Sequence, residues 1–262
     1  MENLVNLERK KANDLVELQK TLYSSKNYTR RRLHLQRFEW VSRAIESCAP
    51  FFANSSAIEY GPGSGIYLPI LASHYSQLIA ADIEKAYLDD IAGLKKSLLN
   101  LETVIDDLQE SQLGRNKFNL VLCTEVLEHV PNPELAMQTI FNILEPGGIA
   151  IITTPQKFSI MELSCKIAFL PGILNLVRGV YKEPIFELGH ISLRSAGQMR
   201  NAIKRNGFEV LKVEKLGLYI SLLAEFAGLT GGQLIESLES AIKNTPLNGL
   251  LWTQAYVLRK PS

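Results

Sequence analysis

The chain has 262 residues, 46% of them hydrophobic, enough for one sizeable core and near the upper end of what a single α/β domain with appendages needs. Its 28 lysines and arginines nearly cancel 27 aspartates and glutamates, so no global field draws it to nucleic acid or to an acidic membrane surface, and no nucleic-acid partner is expected. No stretch reaches the roughly 20 apolar residues that span a bilayer, because Lys166, Pro171 and Arg178 interrupt the longest candidate and Glu225 the next.

The three cysteines, Cys48, Cys123 and Cys165, form no CxxC pair, and the charged opening residues lack the apolar centre of a signal peptide. A reducing, cytoplasmic setting is the expectation.

In chain order, residues 4–22 carry apolar side chains at mixed three and four spacings and predict an amphipathic helix. A basic, polar stretch over 24–32 follows, and a second helix is predicted from about Leu35 to Cys48, stopping before Pro50. From Ala57 the pattern alternates strand and helix: a strand over 57–60, a glycine-rich turn, a helix from about Gly65 to Tyr75, a strand over 77–82, a helix over 85–99, and strands over 102–105 and 118–123. Asn132 is placed to cap a helix with Pro133 at its first position, running to Glu145 before Pro146-Gly147-Gly148, and a strand follows over 149–153. These strands are apolar throughout, which belongs to a parallel sheet covered by helices on both faces.

An apolar and basic insertion over 156–193 breaks the rhythm. Ser195 then caps a predicted helix to about Asn206, Gly207 ends it, and strands over 208–216 and 251–259 bring the count to seven, the last reached through an irregular, partly helical excursion over 218–248. The whole chain reads as one domain, 1–262, with a helical extension over 1–50 and a cap insertion over 156–193.

The sharpest motif is Glu59-Tyr60-Gly61-Pro62-Gly63-Ser64-Gly65, where an apolar strand gives way to a helix. Alternate glycines let the backbone turn tightly and leave room for a ligand at main-chain N–H groups, at the strand ends where open α/β sheets bind ligands. Asp82 ends the next strand, where an acidic residue accepts ribose hydroxyls, and Asp106 and Asp107 end the third, close to where an adenine would sit. So many carboxylates repel a pyrophosphate and suit a cationic sulfonium with an ammonium group. The spacing also departs from the dinucleotide fingerprint, since Gly65 follows Gly63 by two residues and not three.

Together with Thr124-Glu125-Val126-Leu127-Glu128-His129-Val130 and Leu144-Glu145-Pro146-Gly147-Gly148, these motifs resemble, in order, those of class I S-adenosylmethionine-dependent methyltransferases, best the small-molecule branch. The resemblance is strong over about residues 50–155 and weaker elsewhere. It implies a three-layer, Rossmann-like α/β sandwich on a seven-stranded, mostly parallel sheet whose last strand is antiparallel. It implies S-adenosylmethionine as donor, leaving as S-adenosylhomocysteine. Glu59 and the glycines would hold the methionine part, Asp82 the ribose, and Asp107 or Asp106 the adenine amino group, with Asp107 preferred and Leu108 packing on the ring. Tyr60, Pro62, Ile83, Thr124 and Glu125 complete the implied donor site.

Displacement at a sulfonium needs alignment and exclusion of water more than acid–base help. For a hydroxyl acceptor His129 is the first candidate base, a bond to neighbouring backbone being its structural alternative. His190, in Gly189-His190-Ile191-Ser192, falls near the acceptor pocket of many relatives, either as a substrate contact or as a cap. His34 and His74 have no supporting pattern, and four histidines without a cysteine cluster predict no metal site. Arg31, in the run Arg30 to Arg32 with Tyr28 interleaved, is a candidate clamp for an anionic substrate, or else part of a solvated face.

The insertion over 158–181 reads most simply as a helical cap over the site, though its apolar content with basic margins also fits shallow contact with lipid. The expected partner is a small, partly apolar acceptor methylated on oxygen; an NAD-dependent oxidoreductase and a non-catalytic binding module of the same fold are the alternatives.

Overall fold

The computed structural model describes residues 22–49, 54–168 and 190–262. The helix expected over 4–22 lies almost wholly outside them, as does most of the cap insertion.

The first described helix, α1 (Tyr28–Cys48), starts seven residues earlier than its periodicity suggested. Asn27 is the reason: its side chain accepts from the Arg30 N–H at 3.0 Å and supplies a cap. Arginine is also a good helix former, and ion pairs hold this basic turn, with Arg30 on Glu225 at 2.8 Å and Arg32 on Glu239 at 2.9 Å. The second half of the basic, polar stretch over 24–32 is therefore the first turn of the helix.

The strands are β1 (Ser56–Tyr60), β2 (Gln77–Asp82), β3 (Leu101–Ile105), β4 (Phe118–Thr124), β5 (Leu144–Pro155), β6 (Glu209–Leu216) and β7 (Thr253–Arg259). They form one sheet in the order β3-β2-β1-β4-β5-β7-β6. β1 to β5 run parallel, and β7 is antiparallel to both of its neighbours, as the resemblance implied. Strand order reverses between β1 and β4, whose ends meet at the pair Tyr60 and Cys123, and this is the place where an open α/β sheet forms its ligand crevice.

Side-chain alternation divides the core into two layers. On one face Ala57, Leu120 and Leu122 pack under α1 and α2 (Leu68–His74), through Val41, Ile45, Leu68 and Leu71. On the other, Ile58, Val121 and Cys123 pack under α4 (Pro133–Ile143) and α6 (Ala196–Arg205), through Met137, Ile140, Met199 and Ile203. Both predicted caps form: Asn132 accepts from the Leu135 N–H, and Ser195 makes a reciprocal capping box with Gln198.

Three further boundaries differ from expectation by three residues or more. α2 begins at Leu68, not Gly65, because Gly63 and Gly65 take φ of 51° and 72° and Pro69 favours a first-turn position. The helix expected over 85–99 is α3 (Lys85–Ile91) followed by a 3-10 turn over Ala92–Lys96, where Gly93 weakens the α form. β5 starts at Leu144, so the helix before it ends at Ile143 and Pro146-Gly147-Gly148 lies inside the strand, with a register shift against β4.

The remaining helices, α5 (Ile160–Ala168), α7 (Ser221–Phe226) and α8 (Gly228–Ile242), lie outside the alternation. α7 and α8 clamp the first turns of α1 through Leu33, Tyr219, Ala224 and Ile235. Among the described residues no helix is long and apolar enough to cross a membrane.

Candidate functional site

The glycine loop leaves β1 beside β2 and β3. The Gly61 N–H donates to the Ala81 carbonyl at 2.9 Å, and the Asp106 N–H to the Asp82 carbonyl at 3.1 Å, so the tips of three strands are tied side by side. Gly61 has φ 65°, and a β-carbon there would stand 2.4 Å from a Val126 methyl, so glycine is required both for conformation and for space. Pro62, Gly63 and Gly65 are buried within the same loop.

Glu59 is 1% exposed, and its Oε2 has no hydrogen-bond partner among the described residues. Burial pushes its carboxyl well above the usual range. Asp82 accepts from the Glu84 N–H at 2.9 Å and is raised by burial to about 6, while Ile83 beside it is exposed.

The two aspartates after β3 are used differently. Asp106 is buried and accepts from the Tyr60 hydroxyl at 2.7 Å and from the Gln112 N–H at 3.0 Å, which makes both Asp106 and the Tyr60 side chain supports of the loop. Asp107 accepts from the Gln109 N–H at 2.8 Å and is half-buried, next to the buried Leu108. The Tyr60 ring belongs to the core on the α4 side.

At the tip of β4, Thr124 pairs with Thr153 and the chain turns sharply at Glu125, a non-glycine residue held at φ 55°. The Glu125 carboxylate meets the Arg37 guanidinium of α1 at 2.9 Å, leaving its Oε1 buried without a partner among the described residues. Arg37 also donates to His34 Nδ1 at 3.2 Å and lies over the Trp252 ring; burial, then Arg37, pulls His34 down to about 3, so it is a neutral acceptor. Tyr67 joins this group: its hydroxyl is buried with no hydrogen-bond partner among the described residues, and Arg37, Glu59 and Glu125 all act on it.

One turn further, Glu128 is 1% exposed and accepts from the Thr154 hydroxyl at 3.0 Å. Its backbone carbonyl accepts from the Ile191 and Ser192 N–H groups at 2.9 and 3.0 Å, which draws His190 over this turn. The His129 and His190 rings stand 5.2 Å apart, edge to face. His190 Nδ1 lies 3.2 Å from the Glu162 carboxylate of α5, which also accepts from Trp252 Nε1 at 3.1 Å. Ligand atoms of Glu128, His129 and His190 all fall within 4.8 Å of one another. A cavity of about 340 Å³, lined by Lys157, Lys166, His190 and Arg194 among others, opens beside them.

The structure therefore brings together Glu59, the glycines, Asp82, Asp106, Asp107, Thr124 and Glu125, with His129 and His190 adjoining. Tyr28 and Arg31 are used elsewhere. The Tyr28 hydroxyl donates to Glu236 of α8, Arg31 donates to the Ser25 carbonyl at 2.6 Å, and both line a separate depression of about 450 Å³. The reason is the early start of α1, which turns this basic segment against the carboxylates of α7 and α8. Arg37, Tyr67, Glu128, Glu162 and Trp252 escaped the linear reading; only Glu128, inside a quoted motif, had a local signal.

Residues 32–213 match the family described as a methyltransferase domain. Over 147 residues, 55% of each chain, the protein is 29% identical to a ubiquinone biosynthesis O-methyltransferase of Rickettsia typhi. It spans about half the length of the curated relatives it matches, 55% and 43% of the first two. Among solved structures, an S-adenosylmethionine-dependent methyltransferase from Mesorhizobium loti superposes with a TM-score of 0.57 at 15% identity, covering 83% of this chain and 96% of that one. The [4+2]-cyclase SpnF superposes with 0.56 at 14% identity, covering 86% and 82%, so the fold is shared by proteins of different named activity. Family match, strand order and loop agree: this chain belongs to the class I methyltransferase family, whose methyl donor is S-adenosylmethionine.

Proposed function

We propose that this protein is a single-domain enzyme that transfers the methyl group of S-adenosylmethionine to an oxygen of a small, partly apolar acceptor. The observation that carries the reading is Glu59: a carboxylate buried at a strand tip, one oxygen without a hydrogen-bond partner among the described residues, beside a glycine loop and next to the Asp82 strand end. A buried carboxylate without a partner costs several kcal/mol when ionised, and a ligand ammonium relieves that cost. Asp82 is the ribose acceptor in this reading. Asp107, not Asp106, is the adenine partner, because Asp106 is already committed to Tyr60 and Gln112.

The donor supplies an activated methyl group on a sulfonium. The chain's own contribution is to hold that group in line with an acceptor entering from the His129 and His190 side, and to keep water out. With the donor bound, His129 would take the acceptor O–H proton as that oxygen receives the methyl group, and His190, oriented by Glu162, would contact the acceptor. The choice of oxygen follows the relative named a ubiquinone biosynthesis O-methyltransferase. The apolar insertion supports a partly apolar acceptor, with its helix α5 over the histidines and its later part outside the described residues.

The test is incubation with S-adenosylmethionine and a panel of hydroxylated aromatic and aliphatic acceptors, reading S-adenosylhomocysteine and the mass and position of the added methyl. Methylation on oxygen supports the reading; transfer only to nitrogen or carbon, or none across the panel, overturns it.

A further inference from the structure

We infer that Glu128, His129 and His190 form a binding site for a divalent first-row metal ion, such as zinc or manganese, at the acceptor edge of the cleft. The inference rests on the proposed function for what the ion does there, but not for whether it binds.

Three observations carry it. One carboxylate and two imidazoles, contributed from a turn and from a segment far along the chain, place ligand atoms within 4.8 Å of one another, so small side-chain rotations bring them to the roughly 2.0–2.2 Å of metal bonds. The backbone holds this arrangement, because the Glu128 carbonyl accepts from both Ile191 and Ser192 and keeps His190 over the turn. Glu128 Oε1 is buried and lacks a hydrogen-bond partner among the described residues, the condition that a cation corrects.

The surroundings are those of a metal histidine. Glu162 takes the Nδ1 side of His190, fixing its ring and leaving Nε2 for coordination, the arrangement in which an outer carboxylate orients a metal-bound imidazole. Trp252 in turn anchors Glu162. His129 is the exposed member of the three, so the site opens to solvent on its side and offers a coordination position to an incoming ligand. Two nitrogens and one oxygen select zinc, manganese, iron or cobalt over the all-oxygen preference of calcium.

With an ion bound there, His129 would serve as a ligand and would give up the base role proposed above: the ion would lower the pKa of an acceptor hydroxyl it holds, whose proton would leave to solvent. The site then selects acceptors whose reacting hydroxyl can chelate, a catechol-like pair above all.

The experiment uses the full chain, stripped with EDTA and titrated calorimetrically with zinc sulfate, manganese chloride or calcium chloride, with S-adenosylhomocysteine affinity measured on the same samples. The expected result is one zinc or manganese site per chain, weakened at least tenfold in His190→Ala and in Glu128→Gln and about 10–100-fold in Glu162→Gln, with calcium much weaker. Unchanged S-adenosylhomocysteine affinity in the variants shows that they are folded; should Glu128→Gln not fold, His190→Ala carries the test. No stoichiometric zinc or manganese binding, equal binding by the His190→Ala protein, or calcium bound as tightly as zinc overturns the site. Metal binding without S-adenosylhomocysteine binding supports the site and overturns the donor reading instead.

Discussion

The Arg37 guanidinium sits 2.9 Å from the Glu125 carboxylate, both largely withdrawn from solvent, and this pair ties α1 to the strand tip at the centre of the cleft. A buried pair adds little against apolar replacement, but removing one partner strands the other charge. Arg37→Met therefore lowers stability by about 3–5 kcal/mol, a fall of roughly 6–20 °C in Tm for a chain of this size. Thermal denaturation followed by circular dichroism checks it; a change under about 2 °C shows that Glu125 is not held by Arg37.

Gly61→Ala meets two obstacles at once: a φ of 65° and a Val126 methyl 2.4 Å from the new β-carbon. The left-handed backbone costs about 1–2 kcal/mol and the clash a further 1–3 kcal/mol. Adding Val126→Ala restores the space but not the conformation, so the double variant recovers only part of the loss. Full recovery in a denaturant titration contradicts the conformational argument.

The two aspartates after β3 separate by mutation. Tyr60→Phe takes a donor from buried Asp106 and costs about 1–3 kcal/mol of stability while changing S-adenosylhomocysteine affinity less than threefold. Asp107→Ala does the reverse, weakening the nucleoside about tenfold with little effect on Tm. The opposite pattern, read by calorimetry and thermal melting, reassigns the adenine contact to Asp106.

How far this was legible from sequence follows from where the signals sit. The glycine loop, Asp82, the aspartate pair and the capped helices at Asn132 and Ser195 are local patterns, and each lies where the order of residues placed it. Arg30 to Arg32 looked like a solvated or anion-binding run because the partners of Arg30 and Arg32, Glu225, Glu236 and Glu239, are about two hundred residues away. Glu162 has no neighbour in sequence that marks it as the carboxylate behind His190; that contact exists only because α5 folds over the turn.

Asp82 makes donor binding depend on pH. Burial raises its carboxyl to about 6 from an ordinary 3.8, so the folded chain holds this proton more tightly than the unfolded one. Its contribution to stability is therefore present below about pH 4 and is lost as pH rises through 6. Ribose hydroxyls donated to the ionised carboxylate favour the charged form. S-adenosylhomocysteine accordingly binds more tightly as pH rises from 5 to 7 and releases protons near pH 6, seen as a buffer-dependent heat in calorimetry. Asp82→Asn removes that component; proton uptake on binding contradicts the assignment.

In the proposed function the carboxylates at the tips of β1 and β2, with the loop at Gly61, seat a cationic nucleoside. Equilibrium titration of the wild-type chain and of Asp82→Ala with S-adenosylmethionine, and of the wild type with NAD, tests it most directly. The expected result is saturable binding of S-adenosylmethionine by the wild type, at least tenfold weaker in the variant, and no comparable binding of NAD. Equal affinity of the two proteins for S-adenosylmethionine, or preference for NAD, contradicts it.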